Sequence, residues 1–267
     1  IPQVFDCWFE SGSMPYAQVG YRPHQATDEE KEVFEKTHFP ADFIAEGLDQ
    51  TRGWFYTLLI LSTALFDKVP FRNCVVNGIL LGSDKKKMSK SKRNYPSLDG
   101  VLEQYGADAL RYVLMRSPAT CAESMSISED LFKQATSDLL IPIKNIYKFF
   151  AGICNHNDFN VSIEFNLDCE IKSDLDAWLL IRTEKFKSDI TAHLDSYNLI
   201  ESCNDILNFI QEFSRWYVRN IKSVLSASST EQKYISMSCM YFALDVFSKL
   251  AAPIIPFSTE YLYRLLH

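Results

Sequence analysis

Residues 42–81 carry the pattern that most restricts the fold. Asp42 to Glu46 is a short extended run that ends at Gly47. Asp49 to Phe66 follows as a dense apolar helical stretch with an Asp at its cap position, and Pro70 closes the connection. Asn73 to Leu81 (Asn-Cys-Val-Val-Asn-Gly-Ile-Leu-Leu) then reads as a buried parallel strand, rich in β-branched and apolar residues. Strand, helix and strand within about 40 residues make a βαβ unit. Its crossover is expected to be right-handed, with any ligand beyond the carboxyl ends of the strands. Glu46, Gly47 and Asp49 fall at the first such end.

The remainder changes character. Residues 28–36 read as a short, charged, solvated helix, and Asp99 to Arg116 as a helix with an Asp start and Pro118 beyond its end. From about Ser137 the pattern is helical almost throughout, with candidates at 128–151, 174–194, 197–225, 231–251 and 258–267. The Asn-rich stretch 154–168 is the best linker, and Pro253 and Pro256 separate the last two helices. The fold class is therefore α/β plus all-α, divided at 1–98, 99–136 and 137–267, the last a helix bundle. Apolar residues at 47% exclude a disordered chain. The longest mostly apolar run, Trp54 to Phe66, is too short for a membrane span, so no membrane partner is expected. Seven scattered cysteines without a Cys-x-x-Cys pair point to reduced thiols in an intracellular, cytoplasmic protein, and no zinc or other protein-bound metal is expected. The chain opens on Ile1 and shows no basic-then-apolar leader, so a piece of a longer protein is expected.

The charge is uneven. The chain has a formal net charge of −7, yet Asp84 to Arg93 holds six basic residues and one acid. Within that loop runs Lys87-Met88-Ser89-Lys90-Ser91, bracketed by Gly82 and Asn94. Lysines supply charge and serines supply donors, which suits a loop that grips a triphosphate and then releases pyrophosphate. On charge alone, a solvated lysine loop or a localisation patch is the simpler account. The five-residue string and its position after a βαβ unit favour the phosphate.

Other residues carry two readings each. Asp49 with Gln50 at a helix start could hold ribose hydroxyls or an ammonium, or Asp49 could simply cap the helix. Glu46 is harder to dismiss, since an acid ending a buried strand is costly unless partnered. Trp8, beside the Gly12/Ser13 turn, could wall an apolar pocket or sit in the core. Gly78 inside a strand marks close approach by a ligand or a neighbouring chain, or a bulge. The bundle holds 12 Lys+Arg against 16 Asp+Glu from residue 137 onward, so it is not basic overall. Arg215, Arg219 and Lys222 nonetheless recur at helical spacing beside aromatics, either as a solvated face or as an RNA contact.

Taken together, these strings resemble class I aminoacyl-tRNA synthetases, and among them the isoleucyl family of the eukaryotic cytosolic type. The resemblance is carried by Asp6–Ser13, Glu46–Phe55, Asn77-Gly78, Lys87–Ser91, Asn94-Tyr95-Pro96 and Tyr105–Arg111, and runs over essentially the whole chain. It implies the second half of a Rossmann-like catalytic domain, a stem-contact-like region and a helical anticodon-binding domain. It implies that Glu46, Gly47, Asp49 and Gln50 contact the aminoacyl-adenylate, and that Gly78, Ile79, Leu80 and Met88 line the ATP site. Lys87, Ser89, Lys90 and Ser91 would act on the triphosphate. Trp8 and Trp54 would wall the amino-acid pocket, and Arg215, Arg219 and Lys222 would face tRNA. The implied partners are isoleucine, ATP with its Mg2+, tRNA(Ile) and an N-terminal half of the same polypeptide. No His-Ile-Gly-His-like string occurs, and Lys92-Arg93 stand where the family usually has Gly after the signature. A ligase inactive as this piece alone is therefore expected. A valyl-type ligase and a non-catalytic tRNA-binding piece are the alternatives.

Overall fold

The computed structural model describes residues 4–88, 94–160 and 171–267. They fall into two compact units, Ile1–Leu80 with Pro118–Met125, and Leu81–Ser117 with Ser126–His267.

The first unit contains the βαβ motif. Strand β1 (Ala41–Gly47) pairs parallel with β2 (Phe71–Asn77), in a register that sets Glu46 against Val76 and Gly47 against Asn77. The carboxyl ends of the two strands therefore lie side by side. Between them runs an apolar helix, Trp54–Phe66, which packs Phe55 and Leu58 on Ile44 of the sheet. We number it α4, after α1 (Cys7–Gly12), α2 (Met14–Ala17) and α3 (Asp28–Thr37). Helix α3 lies where the charged stretch predicts it, started by a capping box between Thr27 and Glu30. It buries Phe34 with Tyr16 and Phe39 in a small aromatic core of its own.

Three details of this unit depart from expectation. The second strand stops at Asn77, with Gly78 outside the ladder, rather than running on to Leu81. It is only partly covered, and Glu46 is exposed, so the burial cost that singled out Glu46 does not arise. The Asp49–Phe66 helix is also two pieces. Leu48–Arg52 is a tighter 3-10 turn, Gly53 breaks it, and α4 begins at Trp54, so Asp49 is not the cap of the long helix.

The second unit is helical. Helix α5 (Leu98–Met115) is capped by Ser97 rather than Asp99, and turns at Gly106, whose φ of 81° suits glycine. The helices that follow are α6 (Glu129–Ala135), α7 (Ile141–His156), α8 (Asp174–Asp195), α9 (Leu199–Glu212), α10 (Val218–Ala227), α11 (Thr230–Ala251) and α12 (Pro256–Leu266). Their starts match the sequence: Ser173, Asn198 and Ser229 cap α8, α9 and α11 with side-chain oxygens. Pro256 occupies the first turn of α12, where its missing N–H costs nothing. Two π turns, Thr136–Leu140 and Phe213–Tyr217, join α6 to α7 and α9 to α10 without a break. The core is an aromatic and aliphatic stack that includes Phe186, Phe209, Phe213 and Phe247, with Phe186 and Phe209 ring centroids 4.6 Å apart. Most of the 154–168 linker lies outside the described residues.

Candidate functional site

At the carboxyl end of β1 the chain passes from Glu46 through Gly47 into the 3-10 turn. The Gln50 side-chain oxygen accepts the Trp54 N–H at 3.0 Å, and so performs the capping that sequence assigns to Asp49. The Gln50 amide donates to the Asp49 carboxylate at 3.3 Å. Asp49 and Glu46 are thus exposed carboxylates at one strand end, with Asp49 steered by Gln50 and both open to hydroxyls or an ammonium.

The two tryptophans come together here. Trp8 stands on α1, a helix capped by the Asp6 carboxylate and ending at the Gly12/Ser13 turn. Its ring packs over Gly53, where an added Cβ would meet it at 3.0 Å. Trp54 donates its indole N–H to the Ser11 carbonyl at 3.0 Å, which ties α1 to the start of α4. Trp8 remains 44% exposed, too open for a core residue, which favours the wall reading.

Gly78 is used differently from the expectation of a ligand at its face. Its N–H donates to the Ala119 carbonyl at 2.7 Å. An added Cβ would overlap the Glu123 backbone, 2.5 Å from its carbonyl carbon and 2.8 Å from its nitrogen. The close approach is made by residues 118–123 of the same chain. Ile79 is exposed, and its carbonyl accepts the Met125 N–H at 3.0 Å.

The second unit holds the neck of the basic loop. Leu81 and Lys87 form an antiparallel bridge, and Gly82 donates to the Lys86 carbonyl at 2.8 Å. Asn94 closes the neck from the other side. Its side-chain amide donates to Asp84 at 2.9 Å and to the Lys87 carbonyl at 3.3 Å, and its own carbonyl accepts from Ser83. Any side chain at position 82 would run into Asn94, so this glycine is required by packing. The Asn94 amide, and next the Lys86 N–H, hold the Asp84 carboxyl below the usual carboxylate range. Lys87 is exposed at the neck, with Met88 half-buried beside it. Ser89, Lys90 and Ser91 lie outside the described residues.

Sequence reasoning missed two residues of the Tyr105–Arg111 string. Asp108 is buried and accepts the Phe257 and Ser258 N–H groups at 3.2 and 2.6 Å, which caps α12 from a distance. Arg111 donates to the carbonyls of Ile254 and Pro253 at 3.1 and 2.8 Å. Together they fasten the helix that follows the loop to the α11–α12 corner. The spacing of an acid and a base three residues apart is visible in the sequence, but not their partners some 140 residues later.

In the bundle, Arg215, Arg219 and Lys222 are all exposed, as a stripe requires. Trp216 lies beside them with its ring centroid 4.1 Å from that of Trp178.

The family model described as "tRNA synthetases class I (I, L, M and V)" matches residues 1–126, and the "Anticodon-binding domain of tRNA ligase" matches residues 176–267. Residues 1–126 are thus the class I tRNA synthetase portion and residues 176–267 the anticodon-binding portion. Curated relatives at about 40% identity include isoleucine–tRNA ligases. That of Treponema denticola is 42% identical over 99% of this chain and 24% of that protein. The cytoplasmic one of Saccharomyces cerevisiae is 42% identical over 98% of the chain and 24% of that protein. The chain thus spans about a quarter of the length of the curated relatives it matches. A leucyl enzyme of Agrobacterium radiobacter in a ternary complex, LeuRS-tRNA-LeuAMS, superposes with a TM-score of 0.74 at 15% identity, covering all of this chain and 31% of that one. Mycobacterium tuberculosis methionyl-tRNA synthetase with methionyl-adenylate gives 0.67 at 21% identity, covering 89% of this chain and 46% of that one. These likenesses establish the fold: part of a class I catalytic domain, followed by a helical anticodon-binding domain.

Proposed function

We propose that the protein containing this chain is an isoleucine–tRNA ligase, which activates isoleucine with ATP and transfers it to tRNA(Ile). The observation that carries this reading is identity of about 40% to such ligases across nearly the whole chain. In this reading Glu46 and Asp49 take ribose hydroxyls and the ammonium of the amino acid, and Gln50 fixes the direction of Asp49. Trp8 and Trp54 wall the aliphatic side chain. Lys87 and Lys90 neutralise the triphosphate as charge moves onto the pyrophosphate leaving group, with Ser89 and Ser91 as hydroxyl donors. Catalysis is then positioning and electrostatics, and no protein group forms a covalent bond to substrate. Mg2+ would enter as the counter-ion of ATP. The close packing of Gly78 on residues 118–123 leaves Ile79 and Leu80, rather than Gly78 itself, as the part of this segment able to face adenine.

The exposed apolar surface supports a further partner, the rest of the catalytic domain. A parallel sheet is normally covered on both faces. Here Phe43 of β1 and Tyr56, Leu59, Ile60 and Leu65 of α4 are all 40–57% exposed. We assign that cover to an N-terminal half of the same polypeptide. The yeast relative is named cytoplasmic, which supports a cytoplasmic enzyme; separately, among the described residues no helix is long and apolar enough to cross a membrane. Charging of isoleucine-accepting tRNA with labelled isoleucine by the full-length protein tests the reading. Binding of that tRNA without charging would support a binding module instead.

A further inference from the structure

The helical unit buries a carboxylate among neutral donors. Asp176, in the first turn of α8, is fully buried. It accepts from the Tyr217 hydroxyl at 2.7 Å, the Ser236 hydroxyl at 2.6 Å and the Gln232 amide at 3.1 Å. Among the described residues no lysine or arginine pairs with it. A buried carboxylate is tolerated only when its lone pairs are satisfied, and a satisfied network then fixes a single arrangement of the parts it joins.

One of those parts is unusual. Tyr217, itself fully buried, ends the π turn Phe213–Tyr217. Burial, and then the Asp176 charge, keep its phenol protonated far above the ordinary range, so it remains a donor. A π turn inserts an extra residue, re-aims the helix beyond it, and is common at functional sites. This one carries Arg215 and Trp216 outward and sets the direction of Arg219 and Lys222 on α10. Trp178, two residues beyond Asp176, braces Trp216, and the Lys222 ammonium lies 5.3 Å over the Phe149 ring.

We propose that Asp176 is a positioning residue for RNA binding: through Tyr217 it holds the π turn so that Arg215, Arg219 and Lys222 form one phosphate-facing surface. This rests on the reading of that stripe as a tRNA contact. Ser236 hydrogen-bonds the same carboxylate from α11 but lies outside the π turn, and so provides the control.

The experiment uses the full-length protein, with isoleucine-accepting tRNA as the probe. Tyr217→Phe is expected to weaken tRNA binding about tenfold and to lower the slope of log affinity against log salt by about one contact. It should also alter the near-ultraviolet circular dichroism of the Trp178–Trp216 pair. Ser236→Ala, which removes a comparable hydrogen bond, should leave affinity and salt slope unchanged. Equal weakening by the two variants would reduce Asp176 to a structural role and overturn the proposal. So would unchanged tRNA binding in a folded Tyr217→Phe protein. The triple variant Arg215→Ala, Arg219→Ala, Lys222→Ala separates the two levels. If it leaves tRNA binding intact, the stripe reading falls and the proposal with it. If it weakens binding while Tyr217→Phe does not, only the role of Asp176 falls.

Discussion

Gly78→Ala separates two accounts of one glycine. An added methyl would stand 2.5 Å from the Glu123 carbonyl carbon and 2.8 Å from its nitrogen, both backbone atoms. The Glu123 carbonyl oxygen would be nearer still, and ordinary contacts need about 3.5–4.0 Å, so residues 118–123 must retreat by more than ~1 Å. That retreat breaks the 2.7 Å bond from the Gly78 N–H to the Ala119 carbonyl. Overpacking costs about 1–3 kcal/mol and the lost hydrogen bond of this half-buried donor about 0.5–1.5 kcal/mol, so a loss of ~2–4 kcal/mol is expected. Urea denaturation followed by tryptophan fluorescence reads it well, because Trp8 and Trp54 both belong to this unit. With a slope of about 2–3 kcal/mol per molar, the transition midpoint should fall by roughly 1–2 M. An unchanged midpoint together with a large rise in the KM for ATP would refute the reasoning. It would show that the glycine makes room for ligand rather than for Glu123.

The same geometry sets three further outcomes. Asp108→Ala removes the remote cap of α12, whose own cap residue Ile255 offers no side-chain acceptor; a loss of ~2–4 kcal/mol is expected, read as a fall in Tm of the helical unit, and an unshifted Tm contradicts it. In the full-length enzyme, Lys90→Ala should slow adenylate formation by about 10²–10³-fold, and an unchanged adenylate burst would exclude the lysine from the triphosphate. The Asp84 carboxyl, followed by NMR, should titrate below the usual carboxylate range, and Asn94→Ala should return it upward. Because its folded-state value is depressed, its contribution to the loop neck is present above the ordinary carboxyl range and is lost as pH falls through the lowered value.

Local periodicity is legible in the sequence, whereas long-range closure is not. The capped helices and the proline-marked start of α12 arise from chemistry within a few residues, and the parallel pairing of β1 with β2, 30 residues on, follows from the strand–helix–strand order. The two π turns are hidden because one extra residue barely disturbs an apolar stripe. Asp49 has the look of a cap, but Gly53 breaks the helix behind it, and Gln50 does the capping from outside the usual position. Glu46 stands out on a burial it does not have, since β1 is an exposed strand in this unit. The roles of Asp108, Arg111 and Asp176 depend on partners between 41 and 150 residues away, beyond any local pattern. The loop stands out by charge, but its neck, cinched by Gly82, Asp84 and Asn94, emerges only in three dimensions.

The central claim is that these strand ends and this loop serve the activation of isoleucine. It is tested most directly by ATP–pyrophosphate exchange in the full-length protein, with isoleucine, valine and leucine supplied one at a time. The account predicts exchange driven best by isoleucine, weakly by valine and not by leucine, and lost when Lys87 and Lys90 are both replaced by alanine. Exchange led by valine or leucine, or undiminished in the double variant, would contradict it.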